Sequence, residues 1–164
     1  MRYSCAGVIF TDGRYVIGGY QPKKDMPCIT GIGGKRELRD ESYIYTGLRE
    51  FLEEIFDIPD TLHASCIQLI QEHVTPLRIV ELGPYINLVY SFKDLETILN
   101  ILHEKNITSR FYVTFPLTIN DLVYNRLIFD DQEITYLALL PCISTHPIES
   151  CFVSREFVKD MRYL

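Results

Sequence analysis

The 164-residue chain has no tryptophan and is short of positive charge, with 16 Lys and Arg against 22 Asp and Glu and a net charge of -6. Long polyanions bind through many Lys and Arg contacts, so this balance argues against a broad nucleic-acid-binding surface. The sequence also has no internal repeat, low-complexity run or linker. We therefore expect a single domain, residues 1–164, that is large enough to enclose a hydrophobic core.

Cysteine is sparse and follows no recognisable spacing. The five cysteines, an odd number without a C-x-x-C pair, are Cys5, Cys28, Cys66, Cys142 and Cys151. This distribution argues against a cysteine-bound zinc cluster or a disulfide framework and indicates free thiols in a reducing compartment. The apolar run near the N-terminus is only six residues long, too short for a signal peptide or a membrane span. We expect a cytoplasmic protein that has no membrane partner.

The hydrophobic pattern predicts strands that alternate with helices. Strands are predicted at residues 5–10, 15–19, 64–73, 84–92 and 110–115, and residues 29–33 lead into a glycine loop. Helices are predicted from the N-cap Ser42 to about Phe56, over residues 93–105, and over residues 154–164 with Ser154 as the cap. For residues 131–140 the short apolar run leaves strand and helix open. This order predicts an α/β fold, a mixed sheet covered by helices on both faces.

The most informative segment is 31–57, a glycine turn followed by an acidic helix. At about 100° per residue, one helix face gathers apolar side chains and the other gathers carboxylates. The acidic set is Glu50, Glu53, Glu54 and Asp57. Like charges three and four residues apart destabilise a helix by a few tenths of a kcal/mol per pair. A bound cation would remove that cost.

Two interpretations of this segment are open, a solvated acidic face and a metal site. Mg²⁺ prefers one or two carboxylates and completes its octahedral shell with water and substrate phosphates. Gly33 and Gly34 suit a tight loop where the backbone approaches a ligand. Arg49 adjoins the carboxylates and can orient one of them by paired hydrogen bonds. The context therefore favours a metal-and-phosphate site.

These residues resemble the signature of the Nudix hydrolases, G-x5-E-x7-R-E-U-x-E-E-x-G-U, in which U is a bulky aliphatic residue. The matching positions are Glu41, Arg49, Glu50, Phe51, Glu53 and Glu54. The sequence departs from the signature at three points. Gly34 lies one residue too far from Glu41, which we interpret as an insertion in the loop 35–40. Phe56 replaces the glycine after the helix, and Asp57 replaces the last aliphatic residue.

The resemblance implies a Nudix-type α/β/α sandwich with a mixed β-sheet. It also implies hydrolysis of a diphosphate linked to another group, by attack of water on phosphorus, with Mg²⁺ or Mn²⁺ as the cofactor. The implied metal ligands are the backbone carbonyl of Gly34 and the side chains of Glu50, Glu53 and Glu54. The implied catalytic residues are Glu50, Glu53, Arg49 and Glu41, of which Arg49 and Glu41 fix the carboxylate array.

The general base is open between Glu50 and Glu53, either of which can complete the deprotonation of the attacking water. Family members often recruit a further Glu or His from outside the signature. Glu133, Glu81 and His73 are candidates for that role, and for each the alternative is a surface residue without a catalytic part.

Residues outside the signature choose the substrate. The candidates for substrate binding are Lys35, Arg36, Tyr20 and Glu133. The loop 35–40 is the expected determinant, since its basic residues, with Lys23 and Lys24, either guide the phosphates of a compact substrate or only balance the acidic helix. The candidates for stacking a base, each of which is otherwise a core residue, are Tyr20, Tyr112, Phe115, Tyr124 and Phe129.

The leading hypothesis is a pyrophosphohydrolase that acts on a nucleoside triphosphate or a nucleoside-diphosphate derivative. An alternative is removal of the messenger-RNA cap with release of m7GDP, because GIGGKRE with T-x-L-R-E-x-x-E-E is loosely similar to Nudix proteins of large DNA viruses. A diphosphoinositol polyphosphate hydrolase is a further alternative. A catalytically inactive binding module is least favoured, because all carboxylates of the signature are present. A basic groove that leads away from Glu54 would favour capped RNA.

Overall fold

A computed structural model describes residues 3–142 and 152–164. It is a mixed α/β structure with a seven-stranded sheet. Its elements in chain order are β1 Cys5–Thr11, β2 Tyr15–Gln21, β3 Cys28–Thr30, β4 Ile32–Lys35, α1 Tyr43–Phe56, α2 Asp60–His73, β5 Arg78–Leu82, β6 Tyr85–Ser91, α3 Phe92–Glu104, α4 Ile119–Tyr124, β7 Tyr136–Pro141 and α5 Arg155–Met161.

The sheet is mixed, as the sequence predicts. Its main path has the order β3-β2-β1-β6-β5, while β4 pairs with β1 and β7 pairs with β2. The β1–β6 pair is parallel, and the other pairs of named strands are antiparallel. On the side away from β6, β1 pairs with β4 over Cys5–Val8 and then with β2 at Thr11. This change of partner brings the glycines of β4 to the middle of the sheet.

Helices cover both faces of the sheet. Successive side chains of a strand point to opposite faces, so each central strand contributes side chains to the packing on both sides. Val8 and Phe10 of β1 face the larger core, which is formed with α1, α2, α3 and α4. Ile9 faces a smaller cluster with Val16, Val89 and Phe157 of α5. The expected α/β sandwich is therefore the observed architecture.

Two of the predicted strands are wrong. Residues 64–73 belong to α2, where Cys66, Ile67 and Ile70 recur at helical spacing and are buried on the larger core. Residues 110–115 lie outside the named strands and helices, although Phe111, Tyr112 and Phe115 are buried. Their aromatic content reflects burial, which an irregular segment can also supply. The Tyr112 hydroxyl donates to the carbonyl of Leu122 at 2.8 Å, which satisfies the one polar atom of that ring.

Residues 131–140, left open by the sequence, end in β7. This strand pairs with β2, with Tyr20 opposite Tyr136. The two strands are far apart in the sequence, so local periodicity does not predict that they pair.

The helix predictions are confirmed. Ser42 caps α1 by accepting from the backbone N–H of Tyr45 at 3.1 Å, and α1 ends at Phe56. Asp57 follows in the left-handed region, with φ 56°, a conformation that Asp tolerates better than most residues. Ser91 caps α3 and Ser154 caps α5, which is shorter than the predicted 154–164.

Among the described cysteines, Cys5, Cys28, Cys66 and Cys142 are free, while Cys151 lies outside the described residues. No helix of the described ranges combines the length and the apolar character that a membrane crossing needs.

Candidate active site

The glycines of β4 and the carboxylates of α1 meet at the middle of the sheet. The backbone N–H of Gly33 donates to Glu54 Oε2 at 2.9 Å. A side-chain carbon added at Gly34 would lie 2.6 Å from the carboxylate of Glu50, too close for any real contact. The structure therefore brings Gly34, Glu50 and Glu54 together, and it needs glycine at position 34 for that approach.

Arg49 connects the other carboxylates. Its side chain is 1% exposed. Nη2 donates to Glu50 Oε1 and Nη1 donates to Glu53 Oε2, both at 2.8 Å, and Nη2 also donates to the carbonyl of Lys35 at 2.9 Å. Burial opposes the charge of Arg49, but the hydrogen bond with Asp40 and the charges of Glu50 and Glu53 raise its pKa above the ordinary value. Arg49 is thus a permanent cation that fixes two of the implied metal ligands.

The acidic partner of Arg49 is Asp40, which corrects the expectation that Glu41 fills this place. Arg49 Nε donates to Asp40 Oδ1 at 3.0 Å, whereas Glu41 is exposed. Asp40 is buried and also accepts from the Thr46 hydroxyl at 2.8 Å and from the backbone N–H of Glu37 at 2.9 Å. Burial raises the pKa of Asp40, but these hydrogen bonds outweigh it and keep the pKa below the ordinary value.

The pairing of Arg49 with Asp40 also changes where the insertion relative to the signature is placed. The spacing from Gly34 to Asp40 is that of the signature, G-x5 followed by an acid, so the extra residue lies between Asp40 and Arg49 rather than in the loop 35–40. The signal for Asp40 is present in the sequence: the signature places its first acid at residue 40 when it is aligned on Gly34, and at residue 41 when it is aligned on Arg49.

Glu50 and Glu54 are held in an environment that favours a cation. Glu54 is 7% exposed, and burial, together with the charges of Glu133 and Glu50, raises its pKa well above the ordinary value. Burial also raises the pKa of Glu50. Carboxylates crowded in a poorly hydrated site are costly unless a positive charge compensates them. This all-oxygen donor set fits Mg²⁺ or Mn²⁺.

Of the three further candidates, the structure brings Glu133 to the site. Its Oε1 accepts from Gln21 Nε2 at 3.0 Å, and its charge acts on both Glu50 and Glu54. His73 is exposed at the end of α2, and Glu81 is exposed on the edge strand β5.

A cavity of about 910 Å³ adjoins the carboxylates, with Gly33 and Glu133 in its wall. It lies between the sheet and α5. The side chains of Lys24, Lys159 and Arg162 bring positive charge to it, and those of Glu133, Glu156 and Asp160 bring negative charge. The wall on the side of α5 was not anticipated from the sequence, because tertiary contacts, among them the packing of Phe157 against Gly18 and Gly31, bring this helix to the site.

Glu133 is thus the one member of the predicted substrate-binding set that lines this cavity; Lys35, Arg36 and Tyr20 do not. Lys35 and Arg36 are exposed, and the guanidinium of Arg36 donates to the carbonyl of Asp40. Tyr20 lies beside Tyr136, with ring centroids 6.4 Å apart.

The other stacking candidates also lie outside the cavity wall. Tyr112 and Phe115 are buried in the larger core, where Phe115 stacks on Phe56. Phe129 packs against Phe111, and Tyr124 is exposed. Sequence reasoning missed the aromatic residues of the cavity wall, Tyr85, Phe157 and Tyr163. Of these, Tyr85 has its hydroxyl against Gly33, at the edge of the carboxylate site.

No protein-family model and no curated protein matches the chain. Among solved structures, it is similar to a hydrolase of the NUDIX family from Clostridium perfringens. The match has 14% sequence identity and a TM-score of 0.45, and it covers 99% of this chain and 95% of that chain.

Proposed function

We propose that the chain is a metal-dependent Nudix-type pyrophosphohydrolase, which cleaves the diphosphate of a nucleoside triphosphate or a nucleoside-diphosphate derivative by attack of water on phosphorus. The observation that carries the proposal is the junction of β4 and α1. There, Glu50 lies against Gly34, Glu54 accepts from Gly33, and Arg49 fixes Glu50 and Glu53.

Glu50, Glu53, Glu54 and the carbonyl of Gly34 are the residues that would hold Mg²⁺ or Mn²⁺. Such an ion neutralises phosphate oxygens and lowers the pKa of the attacking water. Arg49 keeps two carboxylates in place through its hydrogen bonds, and Asp40 keeps Arg49 in place. The base that accepts the proton of the attacking water is proposed to be Glu50 or Glu53, with Glu133 as the candidate from outside the signature.

The size and charge of the cavity support a compact substrate. Small-molecule sites enclose roughly 300–1,000 Å³, and the cavity beside Glu54 falls in that range. Lys24, Lys159 and Arg162 offer positive charge for phosphates, but three acidic side chains lie among them. This mixed wall favours a nucleotide over capped RNA, which needs a continuous basic path. It also disfavours a diphosphoinositol polyphosphate, which carries more phosphate groups to neutralise.

A substrate panel tests the proposal. The protein is incubated with Mg²⁺ or Mn²⁺ and nucleoside triphosphates, ADP-ribose, dinucleoside polyphosphates, diphosphoinositol phosphates or capped RNA, beside a Glu53→Gln variant. We expect turnover of at least one small nucleotide and its loss in the variant. Release of m7GDP from capped RNA alone, with the free nucleotides intact, would contradict the nucleotide proposal. No turnover with either metal would favour a binding module.

The proposed compartment is the cytoplasm. This proposal rests on the free thiols that the unpatterned cysteines of the sequence indicate.

A further inference from the structure

A second group of metal-ligating side chains lies at the junction of α1 and α2. It consists of Glu53 from α1 and of Asp60 and His63 from the first turn of α2, with one ligand atom from each lying within 4.8 Å of the others. His63 Nδ1 is 3.6 Å from Glu53 Oε1 and 3.7 Å from Asp60 Oδ1. Glu53 faces this group with Oε1, whereas its Oε2 accepts from Arg49. The group therefore shares Glu53 with the proposed active site but faces away from Arg49, on the other carboxylate oxygen.

The His63 ring points an unpartnered nitrogen into this group. The side chain is 1% exposed, and Nε2 lies 2.7 Å from the carbonyl oxygen of Ile58. A carbonyl only accepts, so Nε2 donates to it, and Nδ1 is the ring nitrogen left to bind an ion. Within residues 3–142 and 152–164, Nδ1 has no hydrogen-bond partner. Its distances to the two carboxylates are too long for hydrogen bonds.

Three potential ligand atoms thus converge, and one of them, His63 Nδ1, is buried without a hydrogen-bond partner among the described residues. A buried polar atom left without a partner is unfavourable, and a cation held between it and the two carboxylates would satisfy it. Arg39 reaches it only from outside: Nη1 contacts Asp60 Oδ2 at 2.6 Å, and Nη2 lies 3.4 Å from Glu53 Oε1. The Arg39 side chain is 38% exposed and also pairs with Glu37, at 2.8 Å.

We propose that Glu53, Asp60 and His63 bind one transition-metal ion, with Zn²⁺ as the best fit. An imidazole ligand selects Zn²⁺ and its neighbours over Mg²⁺. The two separations from His63 Nδ1, 3.6 and 3.7 Å, are close to the roughly 3.4 Å between ligands held tetrahedrally about 2.1 Å from zinc. The hydrogen bond from His63 Nε2 to a backbone carbonyl is the usual outer contact of a metal-bound histidine. Water or a further ligand completes the shell.

The site would share Glu53 with the proposed active site through the other carboxylate oxygen. An ion at His63 would therefore help to fix the position of Glu53. Binding there does not depend on hydrolysis, so the site is tested without a substrate.

The test follows the ring nitrogens of the ¹⁵N-histidine-labelled chain by NMR while Zn²⁺ is added in the presence of excess Mg²⁺, which occupies the all-oxygen site. We expect the His63 Nδ1 resonance to shift and to saturate at one equivalent. Asp60→Asn removes one exposed ligand, so the affinity reported by His63 should fall about tenfold or more. Glu72→Gln, an exposed carboxylate on the same helix, is the matched control and should leave the titration unchanged.

An Arg39→Gln variant gives a prediction of opposite sign. If the guanidinium competes with the ion for Glu53 and Asp60, its removal should raise the Zn²⁺ affinity. If Arg39 only forms ion pairs, its removal lowers stability and leaves Zn²⁺ binding at His63 unchanged, which still supports the site and contradicts only the competition by Arg39. A His63 Nδ1 resonance that does not move with Zn²⁺, or that moves equally in Asp60→Asn, would overturn the proposal.

Discussion

At the scale of the residue, one buried arginine organises the candidate active site. Arg49 contacts Asp40, Glu50 and Glu53, and its charge is held by their carboxylates. The sequence predicted the arginine and the glutamates, because their spacing follows a known signature. It predicted the wrong acidic partner, because two consecutive acids, Asp40 and Glu41, fit the pattern from opposite ends and only the fold decides which of them is buried.

Asp40→Asn and Glu41→Gln form a matched pair that tests this correction. Removing the charge of Asp40 leaves Arg49 buried with an incomplete set of partners, so we expect the free energy of unfolding to fall by about 3 kcal/mol. Hydrolysis should fall at least tenfold, because Arg49 no longer fixes Glu50. Glu41 is exposed, so Glu41→Gln should change neither quantity measurably. Urea unfolding and initial rates check both variants, and the reverse ranking would restore Glu41 to the role first expected.

At the scale of the element, the end of α1 explains how the chain does without the glycine of the signature. The helix continues through Phe56, and Asp57 adopts the left-handed conformation one residue later. Phe56 is instead a core residue that contacts Phe51, Tyr112 and Phe115. The departure from the signature is therefore a shift of the helix end by one residue.

Phe56→Gly and Asp57→Gly should consequently act in opposite directions. Phe56→Gly restores the glycine of the signature but removes a buried aromatic side chain. We expect it to lower the free energy of unfolding by about 4 kcal/mol. Asp57→Gly removes the strain of a positive φ and loses only an exposed ion pair with Arg110, so stability should change by less than about 1 kcal/mol or rise. Thermal unfolding of both variants checks this, and equal destabilisation would contradict the account.

The helices α1, α3 and α5 and the strands β1, β2 and β6 were predictable because their caps and periodicities are local. Residues 64–73 were mistaken for a strand because a short apolar run fits the helical and the strand periodicity alike. The first four residues of α2, from Asp60, are largely polar and add little to the apolar pattern. β7 was not predictable for another reason. Its existence depends on pairing with β2, more than a hundred residues earlier in the chain.

At the scale of the whole molecule, α5 forms one wall of the cavity beside the carboxylates. The helix itself was predicted, but its place was not, since the contact between Phe157 and the glycines of the sheet is a matter of tertiary packing. This placement adds Lys159 and Arg162 to Lys24 as the basic residues that line the cavity, whereas Lys35 and Arg36 do not line it.

Arg162→Gln should therefore weaken substrate binding. Removing a cation that lines the cavity is expected to raise KM for the nucleotide about tenfold with little change in kcat, since the residue does not touch the carboxylates of α1. Arg36→Gln is the matched control and should leave KM unchanged, because Arg36 lies outside the cavity wall. Steady-state kinetics checks the pair. A larger increase in KM for Arg36→Gln would contradict this prediction and indicate that the loop 35–40 binds the substrate.

Asp160 gives the fold a pH dependence that can be measured without a substrate. Burial, with a smaller contribution from the charge of Glu156, raises the pKa of Asp160 to about 6. The folded protein then holds this proton more tightly than the unfolded chain does, so the contribution of Asp160 to stability falls as pH rises from about 4 to about 6 and is constant above that range. The difference in melting temperature between Asp160→Asn and the wild type should grow in favour of the variant over that interval. A constant difference would contradict this pKa.

The central claim is that the carboxylates at the junction of β4 and α1 perform a metal-dependent hydrolysis of a diphosphate. The most direct test is hydrolysis of the best nucleotide of the panel in ¹⁸O-labelled water with Mg²⁺, comparing the wild type with Glu54→Gln and with the exposed control Glu72→Gln. The account predicts ¹⁸O in a phosphate product, a loss of at least about a hundredfold in kcat for Glu54→Gln, and no loss for Glu72→Gln. Full activity of Glu54→Gln, or turnover that is unaffected by a chelator, would contradict it.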